Sequence, residues 1–522
     1  MLNLADFLDR NSGLFPSQAA IMHGERRLTY GELRTAAQGV AAGLQRIGIV
    51  PGDKVALSCP NVPEFAIAYY GILMAGAVVV PLNILLKPGE IAYHLTDSEA
   101  RAYLCYEGLP ELPMAAMAAE AFKQVAGCGT LVVMPAGGRA RAEGLAGLTT
   151  LAEFTTGAGA PSTSRAMRPD DTAVILYTSG TTGTAKGAEL THANMAMNAL
   201  VTALLFKLSW SDVNLLALPL FHSFSQTCQL NASVIVGATM VMLPRFDPEA
   251  ALRLMVDEKV SVFAGVPTMH IGLIGAAERL PEIGGRVRDA LRLAVSGGAS
   301  LPLEVLAAFD RTFGVPMLEG YGLSEVSPVA TFNHPDRTRR PGTVGQAIAG
   351  TEVRVVDLDG RPLPAGAEGE VEIRGHNVMK GYYRRPEATA DVMRDGWFRT
   401  GDIGRMTEDG YLAIVDRLKD MVIRGGYNVY PREVEEVLMQ HPAVAMVAVI
   451  GVPHATLGEE IVAYVVAKPG AAIDGDEVVA FARERLAAFK YPRRVEIVPS
   501  LPLNATGKIL KRALRDLAKG KG

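Results

Sequence analysis

Residues 177–187 read Tyr-Thr-Ser-Gly-Thr-Thr-Gly-Thr-Ala-Lys-Gly, placing three glycines, five Ser/Thr hydroxyls and one lysine in eleven positions. The chemistry that suits such a stretch is the wrapping of polyphosphate. Backbone N–H groups without bulky side chains form an anion-binding concavity, and hydroxyls add further donors. The apolar run Ala173 to Tyr177 just ahead reads as the strand that anchors the loop. A Walker loop ends in Gly-Lys-Ser/Thr, with the hydroxyl on Mg2+. Here Lys186 is followed by Gly187, so that ending is missing. Taken by itself, the stretch also reads as a polar loop with no ligand.

Further candidates follow in order. His222 and Phe224 lie in Pro-Leu-Phe-His-Ser-Phe (219–224), and Ser-Gly-Gly-Ala (296–299) closes an apolar strand. Glu-Gly-Tyr-Gly-Leu-Ser-Glu occupies 319–325, and Trp-Phe-Arg-Thr-Gly-Asp occupies 397–402, with Asp416-Arg417 beyond it. Lys508 sits in Leu-Asn-Ala-Thr-Gly-Lys-Ile (503–509), ahead of Lys511, Arg512 and Arg515. Each has an ordinary reading alone: a core histidine, a Gly-Gly turn, a solvated glutamate, a surface ion pair, a solvated terminal lysine. Together, from near residue 20 to near residue 515, they resemble the signature motifs of the adenylate-forming superfamily of acyl-CoA synthetases, stand-alone adenylation domains and luciferases. The resemblance is closest to bacterial fatty-acid and related acyl-CoA ligases.

That resemblance implies a two-step, ATP-dependent reaction. A carboxylate attacks the α-phosphorus to give acyl-AMP and pyrophosphate, and the thiol of coenzyme A then displaces AMP. Two anions must meet, so positioning and positive charge carry the catalysis. By the same resemblance Thr178, Ser179, Gly180, Thr181, Thr182, Gly183 and Lys186 would hold the ATP phosphates. Gly297, Gly298 and Ala299 would wall one side of the adenine, and Glu319, Gly320, Tyr321 and Gly322 the other. Ser324 stands where the family more often has threonine and keeps the hydroxyl. Glu325 would hold Mg2+ through a hard oxygen. Asp402 would accept the ribose hydroxyls, helped by Arg417. Lys508 would bridge the carboxylate and the α-phosphate as charge builds up, with His222 beside the same atoms.

Lys508 must cover the phosphate in the first step and be gone when the thiol arrives. In this family the small C-terminal domain rotates between two poses. Lys419 matches the pivot, and Gly425 and Gly426 would line the thiol tunnel after the swing. Phe224, Val266, Gly272 and Leu323 are the implied acyl-pocket residues. Gly272 falls where ligases for malonate-like diacids carry an arginine, which disfavours a second carboxylate. A long or bulky hydrophobic acid is expected, a fatty acid by default, with an aromatic or polycyclic acid open. Two rivals remain: a ligase that loads a carrier protein's phosphopantetheine arm, and a silent nucleotide-binding protein. The lack of an obvious insertion between Ile403 and Asp416 favours coenzyme A. Intact Lys508, Glu325 and Asp402 oppose the silent reading.

The elements that must position these groups are also legible. The chain has 522 residues, 49% hydrophobic and 20% charged, which calls for more than one folded domain. A net charge of −4 offers no basic field for nucleic acid. Four scattered cysteines form no CxxC pair, so neither zinc nor a disulfide framework is expected, and a reducing cytoplasm fits. No signal peptide is expected at Met1 to Asp6, and the apolar run Ala77 to Leu86 is too short to span a bilayer. A homodimer stays open.

Helix and strand signals alternate early. A helix opens at Thr29-Tyr30, a strand covers Lys54 to Ser58, a helix runs Glu64 to Met74, and a strand covers Ala77 to Val80. The pattern continues at Leu215 to Leu218, Met240 to Leu243, Val260 to Phe263 and Leu291 to Val295. It predicts an α/β fold with a mostly parallel sheet. Residues 137–168 read as surface loop. From about 342 the alternation at Glu352 to Asp357 and Gly369 to Arg374 predicts antiparallel strands. A helix is expected from Pro431 to about Gln440, strands at Ala445 to Ile450 and Ile461 to Ala467, and a helix opening at Asp474 with Glu477 in a capping box. The expected organisation is an N-terminal domain of layered α/β subdomains over 1–416, β-rich over about 342–416. A hinge at 417–420 and a small, mobile α+β C-terminal cap over 421–522 complete it.

Overall fold

The computed structural model describes residues 1–108, 111–138, 147–157, 164–178 and 185–519. Among these residues the strands form four sheets. The first has eight strands and a parallel centre, where Val78–Pro81, Lys54–Ser58, Ala100–Tyr106 and Thr130–Met134 lie side by side. Its strands are buried and apolar, as a parallel sheet covered on both faces requires. The helix Pro63–Met74 is buried along its whole length, and Tyr30–Arg46 packs against it. The expected start of that second helix holds: Thr29 and Glu32 form a capping box.

The second sheet has nine strands and carries much of the candidate site. Its parallel centre runs Met317–Gly322, Leu293–Ser296, Val262–Gly265, Val213–Leu216, Thr239–Met242. The strands begin and end one or two residues from the sequence expectation, because burial rather than local propensity fixes their ends. Antiparallel strands flank this centre at Val329–Phe332 and Gln346–Ala347. The third sheet is the antiparallel, β-rich part: Thr351–Val356, Glu368–Gly375, Met393–Arg394, Trp397–Met406 and Leu412–Arg417. Gly381–Tyr382 lies within the same span of sequence but pairs with Lys186–Thr191 at the edge of the first sheet.

The C-terminal cap packs Pro431–Met439 on Val444–His454, which pairs with Gly458–Ala467. One continuous apolar cluster joins the nine-stranded sheet to cap residues Val422, Val434 and Val447. Two expectations need correcting. Residues 137–168 contain a short strand, Thr149–Thr150, and a helix, Leu151–Thr155, because Phe154 packs against Gly43 and is 2% exposed. At Gly475–Arg483 the cap residue is Asp474, but its side chain accepts from Asp476 and no capping box forms. Glu477 instead faces His441 at 3.6 Å. Among the described residues no helix is long and apolar enough to cross a membrane. The cysteines Cys59, Cys105, Cys128 and Cys228 are free and buried.

Candidate active site

The two described ends of the stretch 177–187 lie side by side. The strand Thr172–Thr178 pairs antiparallel with Lys186–Thr191, and Thr178 stands opposite Lys186. Ser179, Gly180, Thr181, Thr182 and Gly183 lie outside the described residues. At these ends the Thr178 hydroxyl donates to Glu325 Oε1 at 3.0 Å. The Tyr382 phenol donates to the same oxygen at 3.1 Å. The Lys186 ammonium lies over the Tyr382 ring, 5.3 Å from its centre. Sequence reasoning missed Tyr382, whose contact with Glu325 joins residues far apart in the chain.

Glu325 follows the strand Met317–Gly322, and two glycines of that strand have a packing role. A Cβ on Gly320 would lie 2.1 Å from the Phe332 ring, and one on Gly322 would lie 1.8 Å from the Pro328 carbonyl oxygen. The close turn-back of this strand onto Val329–Phe332 therefore excludes side chains there. Between them Tyr321 donates to Asp402 Oδ2 at 2.6 Å. Arg417 pairs with Asp402 in strand register, its Nε 3.2 Å from Oδ1. Burial raises the Asp402 pKa, against the pull of Arg417 and Tyr321. Each carboxylate oxygen keeps a second lone pair, so a ribose diol can still be accepted. Ser324 sits 3.3 Å from Ser223, hydroxyl to hydroxyl. Leu323 is partly buried and donates its N–H to Pro328.

The cap brings Lys508 to this cluster. Asn504 Oδ1 accepts from Lys508 N at 2.9 Å and from the Thr506 hydroxyl at 2.7 Å, closing a tight loop. Gly507 holds the left-handed conformation at φ +81°, and its carbonyl accepts from Thr268 at 3.0 Å. Lys508 Cε lies 3.2 Å from where a Cβ on Gly298 would stand, and Val266 lines the same spot. Burial and then Arg417 depress the Lys508 pKa to about 8, while Asp402 and Glu325 pull it upward. His222 is driven down to about 3 by burial and by the Lys508 charge, so its ring is neutral. Its Nδ1 accepts from Phe224 N at 3.3 Å, which assigns the proton to Nε2. The Phe224 ring packs on Gly297, 3.1 Å from where its Cβ would be. Ala299 is exposed beside them.

The remaining expected residues lie further out. Glu319 is 4% exposed, and its Oε1 accepts from Leu301 N at 3.2 Å. Burial pushes its pKa up to about 7, opposed chiefly by Arg432 of the cap helix. Gly272 packs against Pro248, where a Cβ would come within 2.9 Å. Lys419 lies in the exposed turn between Leu412–Arg417 and Val422–Arg424. Gly425 and Gly426 form the tight connection of the hairpin Val422–Arg424 and Tyr427–Val429, with φ of +58° and +84°. Both are exposed.

A divalent cation fits one position. Among the described residues no group of three or more His, Cys, Asp or Glu side chains converges. Glu325 has one oxygen held by two hydroxyls and takes no described hydrogen bond on the other. One carboxylate plus phosphate oxygens suits Mg2+, which keeps much of its coordination for water and substrate.

Two family models match the chain: AMP-binding enzyme over residues 8–383, and AMP-binding enzyme C-terminal domain over residues 433–508. A long-chain-fatty-acid–CoA ligase of Bacillus subtilis (strain 168) is 36% identical, over 98% of this chain and 94% of the relative. A feruloyl-CoA synthase of an Amycolatopsis species is 38% identical over 97% of each chain. The ATP-bound crystal structure of MatB from Rhodopseudomonas palustris is 36% identical and superposes with a TM-score of 0.89 over 99% of both chains. The apo form of the same protein gives 0.79 over the same coverage.

Proposed function

The chain belongs to the AMP-binding enzyme family and is an AMP-forming acyl-CoA synthetase; on that premise we propose how its residues divide the two half-reactions, and that its acid is hydrophobic. The acid's carboxylate oxygen attacks the α-phosphorus of ATP, the new O–P bond forms, and the bond to the β-phosphate oxygen breaks to release pyrophosphate. Lys508 meets the growing negative charge between carboxylate and phosphate. Neutral His222 offers its Nε2–H to the same oxygens rather than a proton to transfer. Asp402, with Arg417 and Tyr321, holds the ribose. Thr178, Lys186 and the loop between them hold the β- and γ-phosphates. Glu325 would hold Mg2+ when it is bound, and the ion would supply charge neutralisation at the phosphates.

In the second half-reaction the thiol of coenzyme A gives up its proton to solvent, its sulfur bonds to the acyl carbonyl carbon, and AMP leaves with the electron pair of the broken acyl–oxygen bond. For this the cap, 421–522, turns about the hinge 417–420, Lys508 withdraws, and Gly425 and Gly426 come to the thiol path. The observation that carries the reading is Lys508: a residue of the cap packed on Gly298, beside His222 and in the field of Asp402 and Glu325. Desolvation opposes the ammonium's charge there, and carboxylate and phosphate oxygens would offset that cost.

The acid is assigned from the residues that the family resemblance implies for the acyl pocket. Phe224 and Val266 are apolar and buried, and Gly272 supplies no cation for a second carboxylate. We assign a medium- to long-chain fatty acid or a bulky aromatic or polycyclic acid. Buried, free cysteines support a reducing cytoplasm. A pyrophosphate-release assay across fatty, aromatic, polycyclic and short dicarboxylic acids, with the CoA thioester measured in parallel, tests this. A hydrophobic acid should give both products; turnover with the dicarboxylates alone would overturn the assignment.

A further inference from the structure

Tyr382 touches two groups with opposite charges and separate tasks. Its hydroxyl donates to Glu325 Oε1 at 3.1 Å, and its ring carries the Lys186 ammonium at 5.3 Å. Its backbone is fixed from three sides. Tyr382 pairs with Ala188 in the strand that begins at Lys186, and its N–H donates to the Thr389 hydroxyl at 2.9 Å. Arg385 N donates back to its carbonyl at 3.0 Å. Three residues earlier, Met379 N donates to the Glu325 carbonyl at 2.8 Å. One short segment therefore holds Glu325 by both main chain and carboxylate, and is laced to the strand that bears Lys186.

A lysine and a glutamate this near a common side chain would ordinarily close into an ion pair. Such a pair would neutralise both and occupy the oxygen a cation needs. No Lys186–Glu325 ion pair forms among the described residues; Tyr382 contacts both, the ammonium through its ring and the carboxylate through its hydroxyl. A ring face satisfies an ammonium without using a hydrogen-bond acceptor, so the lysine keeps its donors for phosphate. A phenol on one carboxylate oxygen fixes the rotation of the carboxylate and leaves the other oxygen outward.

We infer that Tyr382 is a positioning residue that holds the metal-binding carboxylate and the phosphate-binding lysine apart, each aimed at the triphosphate. The inference rests on the roles given to Glu325 and Lys186 above. It separates two functions within one side chain. Tyr382→Phe keeps the ring under Lys186 and removes the hydrogen bond to Glu325. Tyr382→Leu removes both.

The test is calorimetric titration of acid-free enzyme with ATP, with and without Mg2+, alongside the Mg2+ dependence of carboxylate-driven pyrophosphate exchange. Tyr382→Phe should bind metal-free ATP as the parent does, lose about tenfold in the gain that Mg2+ confers, and need more Mg2+ for half-maximal exchange. Tyr382→Leu should in addition weaken metal-free ATP binding by about threefold. Glu325→Gln is the reference. If Glu325→Gln loses the Mg2+ gain while Tyr382→Phe keeps it, the inference about Tyr382 is wrong and the metal assignment stands. If Glu325→Gln keeps the full gain, the metal assignment itself fails. A change in melting temperature alone, with both binding curves unmoved, would reduce Tyr382 to a packing residue.

Discussion

The cap presents two very different surfaces. One carries Lys508 on a loop closed by Asn504, tied to the main body through Thr268 and pressed against Gly298. The other carries the Gly425–Gly426 turn, exposed to solvent. The first surface carries its charge into a partly desolvated position, where burial depresses the Lys508 pKa. The second is narrow and free of side chains at its turn, which suits close approach to a slim thiol chain. On the proposed reading this placement engages Lys508 alone, and transfer to coenzyme A would need a second placement of the same domain.

The largest way to break this contrast is to remove the engaged tool. Lys508→Ala should slow acyl-AMP formation by about a hundred- to a thousandfold, while thioester formation from supplied acyl-AMP stays near the parent rate. Equal losses in both half-reactions, read by pyrophosphate exchange and by thioester release, would make Lys508 a structural residue. The converse cut is Lys419→Pro. Fixing φ at the pivot should spare acyl-AMP formation and slow transfer to coenzyme A by about a hundredfold, because a misplaced reacting group costs on that order. A smaller effect comes from pH. Lys508 has its pKa lowered to about 8, so its charge is present below that value and lost above it. kcat/KM for acyl-AMP formation should fall about fivefold between pH 8 and pH 9, and transfer from supplied acyl-AMP should lack this limb. The Lys508→Arg variant, which keeps its charge throughout, should lose the limb as well.

The motifs were legible because each is compact and its glycines announce themselves. The strand before the phosphate loop, the Thr29 helix cap and the cap helix from Pro431 follow from local pattern alone. What stayed hidden was what distance in sequence conceals. Tyr382 sits on a two-residue strand and meets Glu325 only because Gly381–Tyr382 adds to the edge of the first sheet. The packing role of Gly320 and Gly322 depends on Phe332 and Pro328, which no periodicity links to them. The Glu319 carboxyl accepts from Leu301 and lies in the field of Arg432, partners that no local pattern links to it. Burial against a second domain leaves no mark in local composition.

One measurement goes straight to the alternation. A Cβ on Gly507 would lie 2.9 Å from the Thr268 hydroxyl oxygen, close enough for a cross-link between Thr268→Cys and Gly507→Cys; because φ at Gly507 is +81°, the reduced double variant must first turn over at the parent rate. The native cysteines are buried and should not compete. Oxidised, this double variant should form one equivalent of acyl-AMP and pass none of it to coenzyme A; reductant should release the thioester. A cross-linked enzyme that transfers to coenzyme A as fast as its reduced form would contradict the account.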